Sequence, residues 1–136
     1  MRYGTLHEPD AINWYECATG LLVRPVGFVT HPKFEWCGVS PDGYVDRGRI
    51  EVKCPASGTP HDDIPAHYIP QCVGVLHITG GEWIDFVSWS PDATNVVRIT
   101  AEESLACWLA MEKELVAFWN DYVLADVEPP RKKRKK

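Results

Sequence analysis

The stretch Gly38-Val39-Ser40-Pro41-Asp42-Gly43-Tyr44-Val45-Asp46-Arg47-Gly48-Arg49-Ile50-Glu51-Val52-Lys53-Cys54-Pro55 decides how this chain is read. Ser40-Pro41-Asp42-Gly43 is turn chemistry, because Pro fixes φ and Gly tolerates positive φ, and Asp46-Arg47-Gly48-Arg49 offers a second reversal. The stretch therefore reads as a strand hairpin. In its second strand, alternation sends Ile50, Val52 and Cys54 to one face and Glu51 and Lys53 to the other. Asp42 comes across the hairpin onto that second side, expected to be the wet one, so that Asp42, Glu51 and Lys53 converge. Two carboxylates with few soft ligands nearby suit a hard, oxygen-loving divalent ion, Mg2+ or Mn2+. A bare Glu-x-Lys is far more often a pair of solvated charges on an exposed hairpin, so the flanking residues carry the weight.

Upstream, the spacing of Ala11, Ile12, Trp14, Tyr15 and Ala18 predicts a helix over 5–19, stopped by Gly20. Pro9 belongs in a first turn or at a kink, which sets Glu8 at the helix start or at a bend. Taken alone, Glu8 is an ordinary first-turn acid favoured by the helix dipole. Residues 21–34 read as extended, with Val23, Val26, Phe28 and Val29 suited to a buried strand. Downstream, residues 56–63 form a Gly-, Pro- and Ser-containing loop, well placed to touch a substrate. A second helix is expected over 64–78, with Pro70 as a blemish and Gln71, Val75 and Ile78 on one side. Residues 82–89 and 96–100 read as strands joined by the turn Ser90-Pro91-Asp92-Ala93. Thr100 and Glu103 make a capping box for a long amphipathic helix to about Leu124, expected to cover the sheet. The order is helix, three strands, helix, two strands, helix. That order is an α/β domain with a mixed central β-sheet flanked by α-helices.

With 136 residues, the chain has room for one core: a domain over 1–128 and a tail over 129–136. Its 45% hydrophobic and 24% charged residues place it among globular rather than disordered chains, and no apolar run is long enough to span a bilayer. The opening Met1-Arg2-Tyr3-Gly4 lacks the pattern of a secretory leader. Cys17, Cys37, Cys54, Cys72 and Cys107 form no C-x-x-C pair and read as buried thiols in a reducing compartment rather than as zinc or iron–sulfur ligands. The net charge of −5 conceals an asymmetry, since Arg131, Lys132, Lys133, Arg134, Lys135 and Lys136 are all basic and the body is correspondingly more acidic. A tail of that kind reads as a disordered arm drawn to phosphate, a nuclear-import signal or an added tag. The expected location is the cytoplasm, or the nucleus if the tail acts as an import signal.

Pro41-Asp42 followed by Glu51-Val52-Lys53 resembles the signature of the restriction-endonuclease-like nuclease superfamily. More narrowly, Gly38 to Gly43 with Ile50 to Pro55 resembles the phage lambda exonuclease family, the YqaJ-like viral recombinases. Gly4-Thr5-Leu6-His7-Glu8-Pro9-Asp10-Ala11 is similar to that family's first motif, and Gln71 sits where the family carries a glutamine. The resemblance covers roughly residues 4–79. It implies a restriction-endonuclease-like core in which Glu8, Asp42, Glu51 and the Val52 main-chain carbonyl hold one or two Mg2+ or Mn2+ ions. Lys53 would orient or help deprotonate the attacking water, and Gln71 would position that water or a phosphate oxygen. It further implies digestion of one strand of duplex DNA from its 5′ end, giving 5′-phosphate products and 3′ single-stranded tails for a single-strand annealing partner. The longer members form a ring-shaped homotrimer, and in them a region before the first motif supplies basic residues for the 5′-phosphate. Arg2, Arg24, Ser40 and the basic tail are the candidates for DNA contact here.

Two other functions fit the same residues: an endonuclease or nickase on this core, separated from an exonuclease by closed circular DNA, and a catalytically silent DNA-binding or assembly subunit, separated by its failure to bind metal. For the tail, removal of residues 131–136 is expected to weaken duplex binding and flatten its dependence on salt, as measured by titration at several ionic strengths. Unchanged affinity across salt removes the tail from the DNA contact.

Overall fold

Alternation along Gly48–Lys53 gives a strand with side chains to bury on both faces, and the chain builds its layers around it. The computed structural model describes residues 2–131. In order they form α1 (Tyr3–Thr19), β1 (Val29–Thr30), β2 (Gly38–Val39), β3 (Gly43–Val45), β4 (Gly48–Lys53), a 3-10 turn (Ala66–Tyr68) and α2 (Ile69–Ile78). Then come β5 (Trp83–Trp89), β6 (Thr94–Thr100), α3 (Ala101–Phe118) and a π-turn (Trp119–Val123). The main sheet has the order β3-β4-β5-β6, with β4 and β5 parallel and the outer pairs antiparallel. A parallel pair needs a crossover, and α2 supplies it.

Both faces of the sheet are covered. Ile50 and Val52 of β4 and Val87 and Trp89 of β5 pack with Ala11 and Tyr15 of α1. On the opposite face, Ile84 and Phe86 pack with Cys72, Val75 and Leu76 of α2. This corrects the expectation of a wet hairpin face: α2 lies over the side carrying Glu51, whose exposure is 1%. The long C-terminal helix also departs from its expected place. With the sheet already covered by α2, α3 packs on α2 through Trp108, against Val73 and Ile78, and leaves Leu105, Leu109, Leu115 and Phe118 exposed. Its capping box forms as expected, with the Glu103 N–H donating to Thr100 Oγ1 at 3.2 Å and the Thr100 N–H to Glu103 Oε1 at 2.6 Å.

The hairpin is β3–β4, reversed by Asp46-Arg47 between paired Val45 and Gly48, with Asp46 at φ 50°. A Cβ at Gly48 would stand 2.3 Å from the Trp83 ring, so the reversal also needs the missing side chain. The Ser40-Pro41-Asp42-Gly43 turn joins separate sheets instead, carrying the chain from β2, paired with β1, into β3. The expected strand over 21–34 shrinks to a bridge between Arg24 and Tyr44 and the short β1, with Phe28 exposed, because β3 is too short to pair a full neighbour. Pro70 falls in the first turn of α2, where its absent N–H has no helical partner to lose. α1 runs through Pro9, which leaves the Thr5 carbonyl without its usual donor. Cys54 and Cys72 are buried as expected, whereas Cys17 and Cys107 lie exposed on helix faces with no sheet beneath them.

α1 is tied to the sheet by a buried polar contact. The Tyr15 hydroxyl donates to Asp85 Oδ2 at 2.6 Å, and Arg98 donates to Asp85 through Nε at 2.8 Å and Nη2 at 2.9 Å. A buried carboxylate needs its partners, so α1 is held in register with β5 by more than apolar packing. Tyr15→Phe is expected to lower unfolding free energy by about 1–3 kcal/mol, read as an earlier urea midpoint with an unchanged slope.

Candidate active site

β3 ends at Val45 and begins at Gly43, so β4 outruns its partner before Val52. Asp42, one residue ahead of β3, fills the gap: its Oδ2 accepts the Val52 N–H at 2.7 Å. The carboxylate thus stands in for a strand neighbour and is fixed by the sheet itself. Beside it on β4, Glu51 points under α2, and Lys53 Nζ lies 3.5 Å from Glu51 Oε1 and 4.7 Å from the Tyr68 ring centroid. Glu8 arrives from α1 and Gln71 from the first turn of α2. Glu8, Asp42, Glu51, Val52, Lys53 and Gln71 all line one cavity of about 650 Å³. Glu51 and Lys53 are on the same side, as alternation requires, and the exposed Gln71 is at the rim.

Burial is the chief reason that Glu51 holds its proton up to a pKa of about 8; the neighbouring Asp42 charge adds to the effect and Lys53 opposes it. Glu8 is raised for the same reasons in the same order. Glu51 Oε2 is buried without a hydrogen-bond partner, the one such side-chain atom among the described residues. An orphaned buried carboxylate oxygen beside a second carboxylate is a donor set that fits a hard divalent cation. Among the described residues, no three Asp, Glu, His or Cys side chains form a group placed to hold a metal ion.

The cavity also contains residues that the sequence did not single out. Tyr68 precedes Gln71 by one helical turn, a spacing legible in the sequence. His61 is held by two backbone contacts, its N–H donating to Ser88 Oγ at 2.8 Å and its carbonyl accepting from Asn95 Nδ2 at 3.1 Å, so part of the 56–63 loop does reach the site. Arg2 lines the cavity, whereas Arg24 and Ser40 do not. Arg131 is exposed and lies 3.8 Å from Glu128, and Lys132, Lys133, Arg134, Lys135 and Lys136 fall outside the described residues.

A mixed sheet between helices, with acids and a lysine gathered at the second strand of a hairpin, defines a nuclease core of the lambda-exonuclease-like kind. Residues 1–82 match the YqaJ-like viral recombinase domain, and the chain belongs to that family. The crystal structure of LHK-Exo in complex with dAMP is similar at 31% identity and TM-score 0.63, covering 90% of this chain and 73% of that one. A crystal structure of an alkaline exonuclease, LHK-Exo, from Laribacter hongkongensis matches at 30% identity and TM-score 0.63 over the same shares. No curated protein sequence matches the chain.

The Glu51 shift fixes the sign of a stability effect. A carboxyl raised from 4.5 to about 8 holds more protons folded than unfolded between those values, so without metal its contribution to stability is full below about pH 4.5 and is lost as pH rises through 8. Thermal melts in chelator should therefore fall from pH 5 to pH 9, and Glu51→Gln should flatten that fall.

Proposed function

We propose that this chain is a metal-dependent exonuclease that digests one strand of duplex DNA from a 5′ end, leaving a 3′ single-stranded tail for an annealing protein. The reading rests on one observation above all, the buried and unpartnered Glu51 oxygen beside Asp42 and Lys53 in the cavity of a YqaJ-family core. Glu8, Asp42, Glu51 and the Val52 carbonyl would hold one or two Mg2+ or Mn2+ ions. When bound, such an ion supplies Lewis acidity at the scissile phosphate and lowers the pKa of a water.

The remaining work belongs to the chain's own groups. Lys53, seated between Glu51 and the Tyr68 ring, presents an ammonium to the phosphate and favours the extra negative charge of the transition state. Gln71, at the rim, offers an amide that can donate to a phosphate oxygen or accept from a water. Glu51 is protonated in the free protein at neutral pH, so cation binding must displace that proton and is favoured by alkaline conditions. This agrees in direction with the alkaline exonuclease among the similar structures, and the dAMP held by LHK-Exo supports a deoxynucleotide product here.

Linear duplex labelled at either 5′ or 3′ ends, incubated beside closed circular DNA with Mg2+ or with chelator, tests the proposal. The expected result is loss of the 5′ label as mononucleotide, intact circles, no reaction in chelator, and a rate that climbs from pH 6 to pH 9. Asp42→Asn and Glu51→Gln should each lower the rate by about 100-fold or more. Continued digestion by either variant would overturn the assignment, and cut circles would replace it with an endonuclease.

A further inference from the structure

His61 is fixed at the cavity by a single row of the sheet. Lys53 on β4 pairs with Ser88 on β5, and Ser88 pairs with Asn95 on β6, so the three residues lie level across neighbouring strands. Alternation along β5 puts Ser88 on the side of Ile84 and Phe86, the side that α2 covers. His61 lies over that row. Its N–H donates to the Oγ of the fully buried Ser88 at 2.8 Å, and its carbonyl accepts from Asn95 Nδ2 at 3.1 Å. The register of the sheet therefore holds His61 level with Lys53, although the residue belongs to the loop after β4.

Both of those bonds use the main chain. The imidazole meets Tyr68 edge-on, with ring centroids 6.1 Å apart and planes at 65°, and its centroid is 6.4 Å from that of Phe86. The same Tyr68 ring has Lys53 Nζ 4.7 Å from its centroid, so one aromatic ring touches both the ammonium and the imidazole. Among the described residues the His61 ring nitrogens have no hydrogen-bond partner, whereas the rings of His7, His31 and His77 meet Asp10, Glu112 and Ser104. A locked main chain that presents an unpaired donor to a cavity is the arrangement of a ligand contact, supported from behind by groups that fix its position.

The side-chain nitrogens that line this cavity are those of Arg2, Lys53, His61 and Gln71. A strand whose scissile phosphate meets Lys53 carries further phosphates beyond it. A terminal phosphate is close to a dianion and suits a guanidinium, whereas an internal one has a single charge shared by two oxygens, to which one N–H is matched. An imidazole has an N–H to give in either charge state. We propose that His61 donates a hydrogen bond to the phosphate next to the scissile one in the strand that remains, and so holds the new end in place for the following cut. The proposal rests on the exonuclease reading above. Because the contact is to the backbone, it positions the strand without preference for any base.

Single-turnover digestion of linear duplex in Mg2+ tests this, with the second linkage from the 5′ end either natural or a neutral methylphosphonate. Wild-type protein should cut the first linkage about 10-fold more slowly when the second is neutral. His61→Phe keeps a flat ring against Tyr68 but has no donor. It should cut natural duplex about 10-fold more slowly than wild type and lose no more than about 2-fold further on the methylphosphonate, since the contact is already gone. His61→Gln keeps an N–H and should stay within about 3-fold of wild type on natural duplex. Calorimetry should give the same Mg2+ affinity for all three proteins, which separates a phosphate contact from damage to the metal site. His61→Phe at the wild-type rate, a weakened Mg2+ affinity in that variant, or full and multiplying losses from the variant and the methylphosphonate overturns the proposal. If His61→Phe fails to fold by thermal melt, His61→Ala takes its place with the same expectations. A wild-type protein that cuts no end sinks the exonuclease reading instead, and the affinities of wild type and variant for the two duplexes in Mg2+ still report on His61.

Discussion

The structure depends on an ionisable group held where water would normally be required. Glu51 lies on an inner strand of a four-stranded sheet, under α2, with one oxygen near Lys53 and the other near no partner. Burial of a carboxylate in that way costs several kcal/mol as an anion, and the chain relieves the cost by keeping the proton. Even as the neutral acid, Oε2 is left without a partner, a cost that the apolar packing on both faces of β4 and β5 and the tie from Tyr15 to Asp85 offset. Local frustration of this kind is expected where function, not stability, has chosen the residue.

Asp42 is held by a different means. It is half-buried; it takes the place of a missing strand and is oriented by the Val52 N–H. One acid is therefore set by burial and the other by backbone geometry, and their environments differ although only a few ångströms of sheet separate their chain positions. Between them and Glu8 the site divides into a polar chamber with Lys53 and Gln71 and an apolar one with Ile12 and Val23.

Much of this was legible in the residues. The pairing of Asp42 with Glu51-Val52-Lys53, the α/β order and the Thr100–Glu103 cap can each be read from local pattern or spacing, and the family from the resemblance of its motifs. Burial could not. Alternation places Glu51 and Lys53 on one side of β4, but whether that side is wet depends on α2 crossing over it, a contact between segments distant in sequence. The same limit applies to the segment over 21–34, whose apolar residues read as a buried strand although the short β3 offers only Tyr44 for pairing. His61 escaped notice because its anchors, Ser88 and Asn95, are contributed by β5 and β6. Pro9 invited caution about α1, and the helix tolerates it because packing of Ala11 and Tyr15 outweighs one lost backbone bond.

The sheet topology also bears on the order in which the molecule becomes competent. β3–β4 and β5–β6 are hairpins between neighbours in sequence and close over short loops, whereas the parallel β4–β5 pairing must wait for α2 and the loop before it. Contacts of longer sequence separation form later, because loop closure has to precede them. Glu8 and Gln71 lie on elements that dock across that late junction, so the half-folded chain holds Asp42 and Glu51 without their companions. The set of side chains that lines the cavity is therefore complete only once the parallel strand pair has formed and both helices have docked on it.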